Sequence, residues 1–421
     1  MWTVWFTYGA FYFCRTNISA AIPGLKATVA DGGFGFTNEE CGLFLGAFKI
    51  AYAAGQLING QLSEQLSPRK MLAIGMFGTA ALNILFGFAP ALYFFIFIWA
   101  CNGFSQSLGW TPCVRVLANW FPVRRRGRVI GFVGTGYMMS GAATYVVSGF
   151  AAESFGWQGA FFIPAAIMFA SAFVMLVLLR EQPEQLQQDD TSGAATGLLH
   201  PTNDARNSAL ENFLLTITNP RLWLLGLSLG LLNACRYGFL DWGLTHLKEV
   251  QETGVGSAAI KIAVLPFGAI AGSYIAGWAT DRFFDSRRAP VTCILLVILS
   301  LLTLVYHPVA NSQSVPATMA LLILIGFCIY GPQVLLVGTA PADLARKGTS
   351  AAAAGFVNCL GYIGAASGDY FTGRSLDAAK GVATDSTGWE HTIYLWAAWA
   401  FAAAVAAGLL WGATAVDHKE S

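Results

Sequence analysis

Residues 2–22, WTVWFTYGAFYFCRTNISAAI, and residues 222–247, LWLLGLSLGLLNACRYGFLDWGLTHL, decide the fold. Each is an apolar stretch long enough to cross a bilayer, which takes about 20 residues of helix. Each is interrupted by one arginine, Arg15 or Arg236, and each arginine follows a cysteine, Cys14 or Cys235. A charge at membrane depth costs ~2.5–3.5 kcal/mol on insertion scales, so it faces a wet cavity or a partner. Guanidinium is always charged, and its planar fork of donors matches phosphate oxygens two at a time. Two such groups at matching places in one chain read as a binding site for an anion.

Composition agrees. Of 421 residues, 55% are hydrophobic and only 11% charged, and the mean hydropathy is +0.56. No ordinary soluble fold carries so little charge over such length, so a multi-pass membrane protein with the lipid bilayer around it is expected. A net charge of +1 argues against a nucleic-acid partner. The eight cysteines fall inside apolar segments with no C-x-x-C, so neither a disulfide framework nor a zinc site is expected. There is no Walker A, no H-E-x-x-H and no G-x-S-x-G in a strand–helix context, and His246 at the end of residues 222–247 reads as interfacial. Neither an enzyme, an ATP-driven pump nor a cofactor is expected. Residues 2–22 are too long for a signal-peptide core and lack a basic start. That the chain opens directly on a span reads as a truncated N-terminus or a late start codon.

Windows of about 20 apolar residues give twelve spans. They lie near 2–23, 40–62, 70–88, 91–119, 127–150 and 158–180, then near 221–247, 257–280, 290–307, 315–339, 349–373 and 391–415. This predicts an all-α protein with a six-helix bundle over 1–180, a polar linker over 181–220 and a second bundle over 221–421. Basic residues mark one face: Arg69-Lys70, Arg124-Arg125-Arg126, Arg128, Arg180, Arg206, Arg221, Arg282, Arg287-Arg288 and Arg346-Lys347. The opposite loops hold few, among them Lys26, Lys248, Lys261 and Lys380. The positive-inside rule then puts both termini and the linker in the cytoplasm, with the chain in an inner or plasma membrane.

The halves repeat. Gly60-Gln61-Leu62-Ser63-Glu64, followed by Arg69-Lys70, closes the second span; Gly277-Trp278-Ala279-Thr280-Asp281-Arg282, followed by Arg287-Arg288, closes the eighth. Two six-span halves with this loop signature resemble the major facilitator superfamily, whose halves are parallel repeats with substrate held near the midplane. Further stretches resemble the organophosphate:phosphate antiporters, the carriers of glycerol 3-phosphate, hexose phosphates and phosphoglycerate. They are Tyr12-Phe13-Cys14-Arg15-Thr16-Asn17, Gly109-Trp110-Thr111-Pro112-Cys113, Arg236-Tyr237-Gly238-Phe239-Leu240-Asp241-Trp242, Tyr330-Gly331-Pro332 and Ala354-Gly355-Phe356 with Gly361-Tyr362. The resemblance implies that Arg15 and Arg236 clamp a phosphate and that Tyr8 and Tyr12 line the substrate path. It also implies exchange of a phosphate ester for inorganic phosphate. Two other readings stay open: a transporter-like sensor of a sugar phosphate, and a facilitator for a carboxylate. A monomer is expected.

Helical spacing adds candidates. Tyr8, Tyr12 and Arg15 share a face of the first span; Lys49, Tyr52, Gln56 and Asn59 form a stripe on the second; Asn358, Tyr362 and Asp369 share a face of the eleventh. Asn233 sits one turn before Arg236. Lys49 is either a third binding charge or a snorkelling side chain, and Tyr8 either lines the path or anchors at the interface. Glycerol-3-phosphate carriers have a lysine where this chain has Gln56, a histidine at Tyr137, a basic residue at Thr16 and a glutamate near Pro266. The phosphate clamp is therefore expected to be kept while the groups that read the organic moiety differ.

Overall fold

The computed structural model describes residues 1–121, 123–182, 209–346, 349–379 and 388–414. Most of the expected linker, with Asp189, Asp190 and Arg206, lies outside the described residues, as do Lys347 and Lys380. The described residues hold helices and short connections, with no strand among them.

All twelve expected spans are present as helix. In the first set, α1 (Trp2–Phe13) and α2 (Ile18–Lys26) share one span, and α3 (Asn38–Gln65) and α4 (Pro68–Gly87) are continuous. The fourth span is α5 (Leu92–Gln106) with α6 (Trp110–Trp120); α7 (Val123–Phe155) and α8 (Gly159–Leu178) follow. The second set opens with the short α9 (Ala209–Ile217), then α10 (Pro220–Tyr237), a π-helical turn at Gly238–Trp242, and α11 (Gly243–Val250). Next come α12 (Val255–Ile262), α13 (Leu265–Phe283) and α14 (Arg288–Asn311). The last are α15 (Val315–Val334), a second π turn at Leu335–Thr339, α16 (Ala340–Asp343), α17 (Ser350–Ala379) and α18 (Trp389–Gly408).

Seven segments among the described residues are long and apolar enough to cross a membrane by length and composition. The expected spans that fall short, 2–23, 91–119, 127–150, 221–247 and 349–373, are broken or carry charged and amide side chains such as Arg15, Gln106, Arg128, Arg236 and Asp369. Packing partners recur between the sets. α1 lies on α7, α3 on α5 and α4 on α8; in the same span order α10 lies on α17, α13 on α15 and α14 on α18. Such matched pairing is what a parallel repeat produces. All eight cysteines are free.

The two sets meet closely on the face away from the basic loops, where α3 packs on α17. Glycine permits this. A Cβ on Gly42 would stand 2.6 Å from Asp369 O, and one on Gly373 would stand 2.1 Å from Asn38 O. Within the second set, a Cβ on Gly364 would stand 2.3 Å from Gly230 Cα. Forcing a methyl into such a contact costs ~1–3 kcal/mol through backbone shifts. Gly364→Ala should therefore lower the apparent melting temperature of the purified protein in detergent. Gly277→Ala, with nothing within 4 Å of its added carbon, should leave it unchanged; equal responses would contradict this packing.

Candidate anion-binding site between the two helix sets

The first span breaks where its arginine sits. α1 ends at Phe13, the chain turns through Cys14–Asn17, and α2 begins at Ile18. A break in hydrocarbon leaves backbone groups that need partners, each costing several kcal/mol if orphaned. Three amide side chains supply them. Gln106 Nε2 donates to Phe11 O at 2.9 Å and to Cys14 O at 3.2 Å. Asn102 Nδ2 donates to Cys14 O at 3.0 Å, and Asn83 Nδ2 reaches the same oxygen at 3.5 Å. Asn17 Nδ2 donates to Asn83 Oδ1 and Ala160 O, both at 2.9 Å. Gln106 then uses its own oxygen to accept from Arg15 Nε at 3.3 Å.

Both arginines are held by neutral groups. Arg15 Nη1 donates to Tyr12 OH at 3.4 Å, and its guanidinium stands 4.5 Å from the centroid of the Tyr52 ring and 4.8 Å from that of Tyr12. Arg236 Nη2 donates to Tyr330 OH at 3.2 Å, and its guanidinium lies 4.8 Å from the Tyr237 ring centroid and 4.9 Å from that of Tyr330. Each cation–π contact contributes ~0.5–2 kcal/mol, which does not replace a counter-charge. The arginines are only 8% and 4% exposed. Among the described residues neither makes an ion pair with a carboxylate. Arg15 Nη2 and Arg236 Nε are buried with no hydrogen-bond partner. Two forked cations with idle donors have the chemistry to receive an oxyanion.

A cavity of about 650 Å³ lies between the sets, and both arginines line it. So do Tyr8, Tyr12, Gln56, Tyr137, Asn358 and Tyr362, all singled out from sequence. The walls are aromatic: Tyr12 and Tyr137 stack at 4.9 Å, and Tyr8 lies 4.7 Å from Trp110. Amides from opposite sets meet in it, Asn358 Nδ2 donating to Gln56 Oε1 at 2.7 Å. Arg128, Tyr274 and Gly338 line the end near the basic loops, so the cavity opens to that face. The opposite face is closed by bonds between the sets. Lys26 Nζ meets Glu249 Oε1 at 2.8 Å, Tyr145 OH donates to Leu240 O at 2.7 Å, and Asn38 Nδ2 donates to Asp377 Oδ1 at 2.7 Å.

Three expected site residues lie elsewhere. The Lys49 ammonium neither snorkels nor lines the cavity; it is buried between Asp369 and Asp241, 2.5 Å from Asp241 Oδ2. In this arrangement its charge is already neutralised, because α17 and the turn after α10 bring two carboxylates to it. Asp369 is fully buried in that cluster rather than lining the cavity. Asn233 faces α17, donating to Gly361 O at 3.0 Å. His246 is buried, its ring nitrogens within 3.1 Å of Tyr306 OH and 3.2 Å of His307 Nδ1. Sequence reasoning missed Gln106, Asn83 and Asn102, although an amide in the middle of an apolar span was the available signal. It also missed Gln333, which lines the cavity with a buried oxygen lacking a partner.

A profile of the Major Facilitator Superfamily matches residues 4–368. The chain belongs to that superfamily of membrane transporters and is not an enzyme. The glycerol-3-phosphate transporter of Bacillus subtilis is 32% identical over 379 residues, spanning 85% of this chain and 81% of its own. A probable hexose phosphate transport protein of Chlamydia muridarum is 28% identical, over 89% of this chain and 83% of its own. The membrane sensor protein UhpC of Escherichia coli is 29% identical, over 89% of this chain and 85% of its own. Among solved structures, a bacterial homolog of the human lysosomal transporter Spinster, inward-facing and occupied, superposes with a TM-score of 0.77 at 16% identity, covering 97% of this chain and 95% of that one. That likeness speaks to the fold alone.

Gln106 ties the broken helix to the arginine, so its loss should be felt in stability. Gln106→Leu takes one donor from each of Phe11 O and Cys14 O and leaves Arg15 Nε without its acceptor, at ~1–3 kcal/mol for an unsatisfied buried group. The variant should unfold at lower temperature or denaturant than the parent. Unchanged stability would show that the break does not depend on Gln106.

Proposed function

We propose that this chain is a secondary carrier that exchanges a phosphorylated small metabolite for inorganic phosphate. The observation that carries the reading is the pair of buried guanidiniums, each with an idle N–H, lining one cavity between the two helix sets. A phosphate group offers several acceptor oxygens and charge for both forks. The organic moiety then lies against Tyr8, Tyr137 and Trp110, with the Gln56–Asn358 amide pair within the same cavity. The names of the relatives, which include glycerol-3-phosphate and hexose phosphate carriers, support a phosphate ester as cargo.

Exchange follows from the electrostatics. Without ligand, two uncompensated cations need the water of an open cavity, so an empty carrier resists closing. Residues 1–180 and 221–421 act as bundles rocking about the site and joined through 181–220. With the basic loops in the cytoplasm of an inner or plasma membrane, the open end of the cavity is the cytoplasmic one. The carrier works as a monomer, since one chain supplies the whole clamp.

Counterflow of labelled phosphate in proteoliposomes, against a panel of phosphate esters and carboxylates, tests the reading. Exchange with a phosphate ester is the expected result. Binding without exchange would identify a sensor, and exchange confined to carboxylates would overturn phosphate as the ligand. Arg15→Lys and Arg236→Lys keep the charge but lose the fork. Each should cut phosphate exchange by about tenfold or more, the scale of one lost charge-assisted hydrogen bond. Near-parental exchange in either variant, at equal membrane insertion, would remove the clamp from the mechanism.

A further inference from the structure

The cavity carries a polar group that the clamp does not use. Gln333 stands on α15, three residues after Tyr330, whose hydroxyl accepts from Arg236 at 3.2 Å. Residues three apart share a helical face and are separated by about 4.5 Å along the axis. α15 runs toward the basic loops, so Gln333 lies on the mouth side of the clamp. It lines the cavity, and its Oε1 is buried with no hydrogen-bond partner among the described residues. Buried polar atoms are normally paired, so one left idle in a binding cavity calls for a donor that arrives with the ligand.

Neighbouring polar groups of the wall are directed elsewhere. Ser273 Oγ donates to Ala269 O at 2.8 Å, and Thr135 Oγ1 donates to Phe132 O at 2.7 Å. Gln56 Nε2 donates to Tyr52 OH at 3.0 Å, and Asn358 Nδ2 donates to Gln56 Oε1 at 2.7 Å. The idle N–H groups of the site belong to Arg15 and Arg236, and a phosphate on the clamp takes those. The phosphate of an ionised ester has acceptor oxygens and no donor, so it cannot serve Gln333 as well.

The donor must then come from the organic moiety. A carboxamide presents one acceptor oxygen beside two N–H donors. That is the complement of two adjacent hydroxyls, one donating to Oε1 and the other accepting from Nε2. A carboxylate offers acceptors alone and would set oxygen against oxygen. Nor is a further negative charge compensated at this level. The cationic side chains lining the cavity are Arg15 and Arg236, engaged by phosphate, and Arg128, out at the mouth.

We propose that Gln333 is a specificity-determining residue that reads a vicinal diol, and that the cargo is the phosphate monoester of a polyol or sugar rather than of a hydroxy acid. The inference rests on the proposed phosphate clamp and adds to it which organic moiety is accepted.

Matched ligands test it. Glycerol 3-phosphate, propyl phosphate and 3-phosphoglycerate share a three-carbon skeleton and differ in hydroxyls and carboxylate. Glucose 6-phosphate and cyclohexylmethyl phosphate form a second pair, with and without hydroxyls on a six-membered ring. Binding of each, and of inorganic phosphate, is measured by calorimetry on the full-length protein in nanodiscs, so the result holds for a carrier or a sensor. In at least one pair the hydroxylated ester should bind the parent about tenfold or more tighter than its bare counterpart. A site that hydrogen-bonds a ligand hydroxyl discriminates in this way against the analogue lacking it. 3-Phosphoglycerate should bind more weakly than the preferred hydroxylated ester. Gln333→Met keeps the length of the side chain and loses the amide, so it should bring the same ratio within a few-fold. An undiminished ratio in Gln333→Met overturns the role of Gln333. No discrimination by the parent in either pair, or tightest binding of 3-phosphoglycerate, overturns the diol even if the variant does not fold, and leaves the clamp standing. Absence of binding by inorganic phosphate and by every ester overturns the clamp and the inference together.

Discussion

Among the described residues, the guanidinium groups of Arg15 and Arg236 are buried without a carboxylate for either. An ionised group taken from water needs compensation, and neutral acceptors with aromatic faces give it only in part. Much of the surrounding architecture is a response to that deficit. The cavity must admit water while it is empty, so the two helix sets are parted on one side. The side chains around the arginines are phenols and amides, which can approach a cation without cancelling it. Acids are present nearby, but Asp241 and Asp369 are engaged by Lys49 and held away from the clamp. Their segregation keeps Arg15 and Arg236 available.

The helix irregularities serve the same end. A regular helix through Arg15 would have left no reason for amides at positions 83, 102 and 106 to converge there. The break exposes carbonyls, the amides satisfy them, and Gln106 passes the support on to Arg15. On the second set the device differs: a π turn at Gly238–Trp242 comes directly after Tyr237. The extra residue in a π turn changes the direction in which later side chains leave the helix. Asp241 therefore points toward α3 and Lys49 rather than back at Arg236.

Much of this is legible in the chain. Span number, repeat and the pairing of Arg15 with Arg236 come from apolar length, basic loops and two arginine-bearing stretches. Spacing or resemblance puts Tyr8, Tyr12, Gln56, Tyr137, Asn358 and Tyr362 on the substrate path, and they line the cavity. Lys49 and Asp369 stand out in the sequence as unusual but not as partners. They are 320 residues apart, on helices of different sets. No periodicity within one helix shows which helix faces it. Asn233 illustrates the same limit: one turn from an arginine along a helix can mean the cavity or the neighbouring helix, and only packing decides. The breaks at Cys14–Asn17 and Ser107–Gly109 are invisible to a search for apolar windows, since a short interruption leaves the average almost unchanged.

The broken first span has a mechanical consequence. α1 and α2 are two short rods meeting at a joint of four residues at the level of Arg15. α1 packs on α7 beside the open cavity, whereas α2 contacts α11 on the sealed side. A single stiff rod crossing the whole bilayer would move both ends together. A jointed one lets the piece at the seal tilt while the piece at the vestibule stays seated. Its elbow carries Arg15, one of the two arginines that line the cavity.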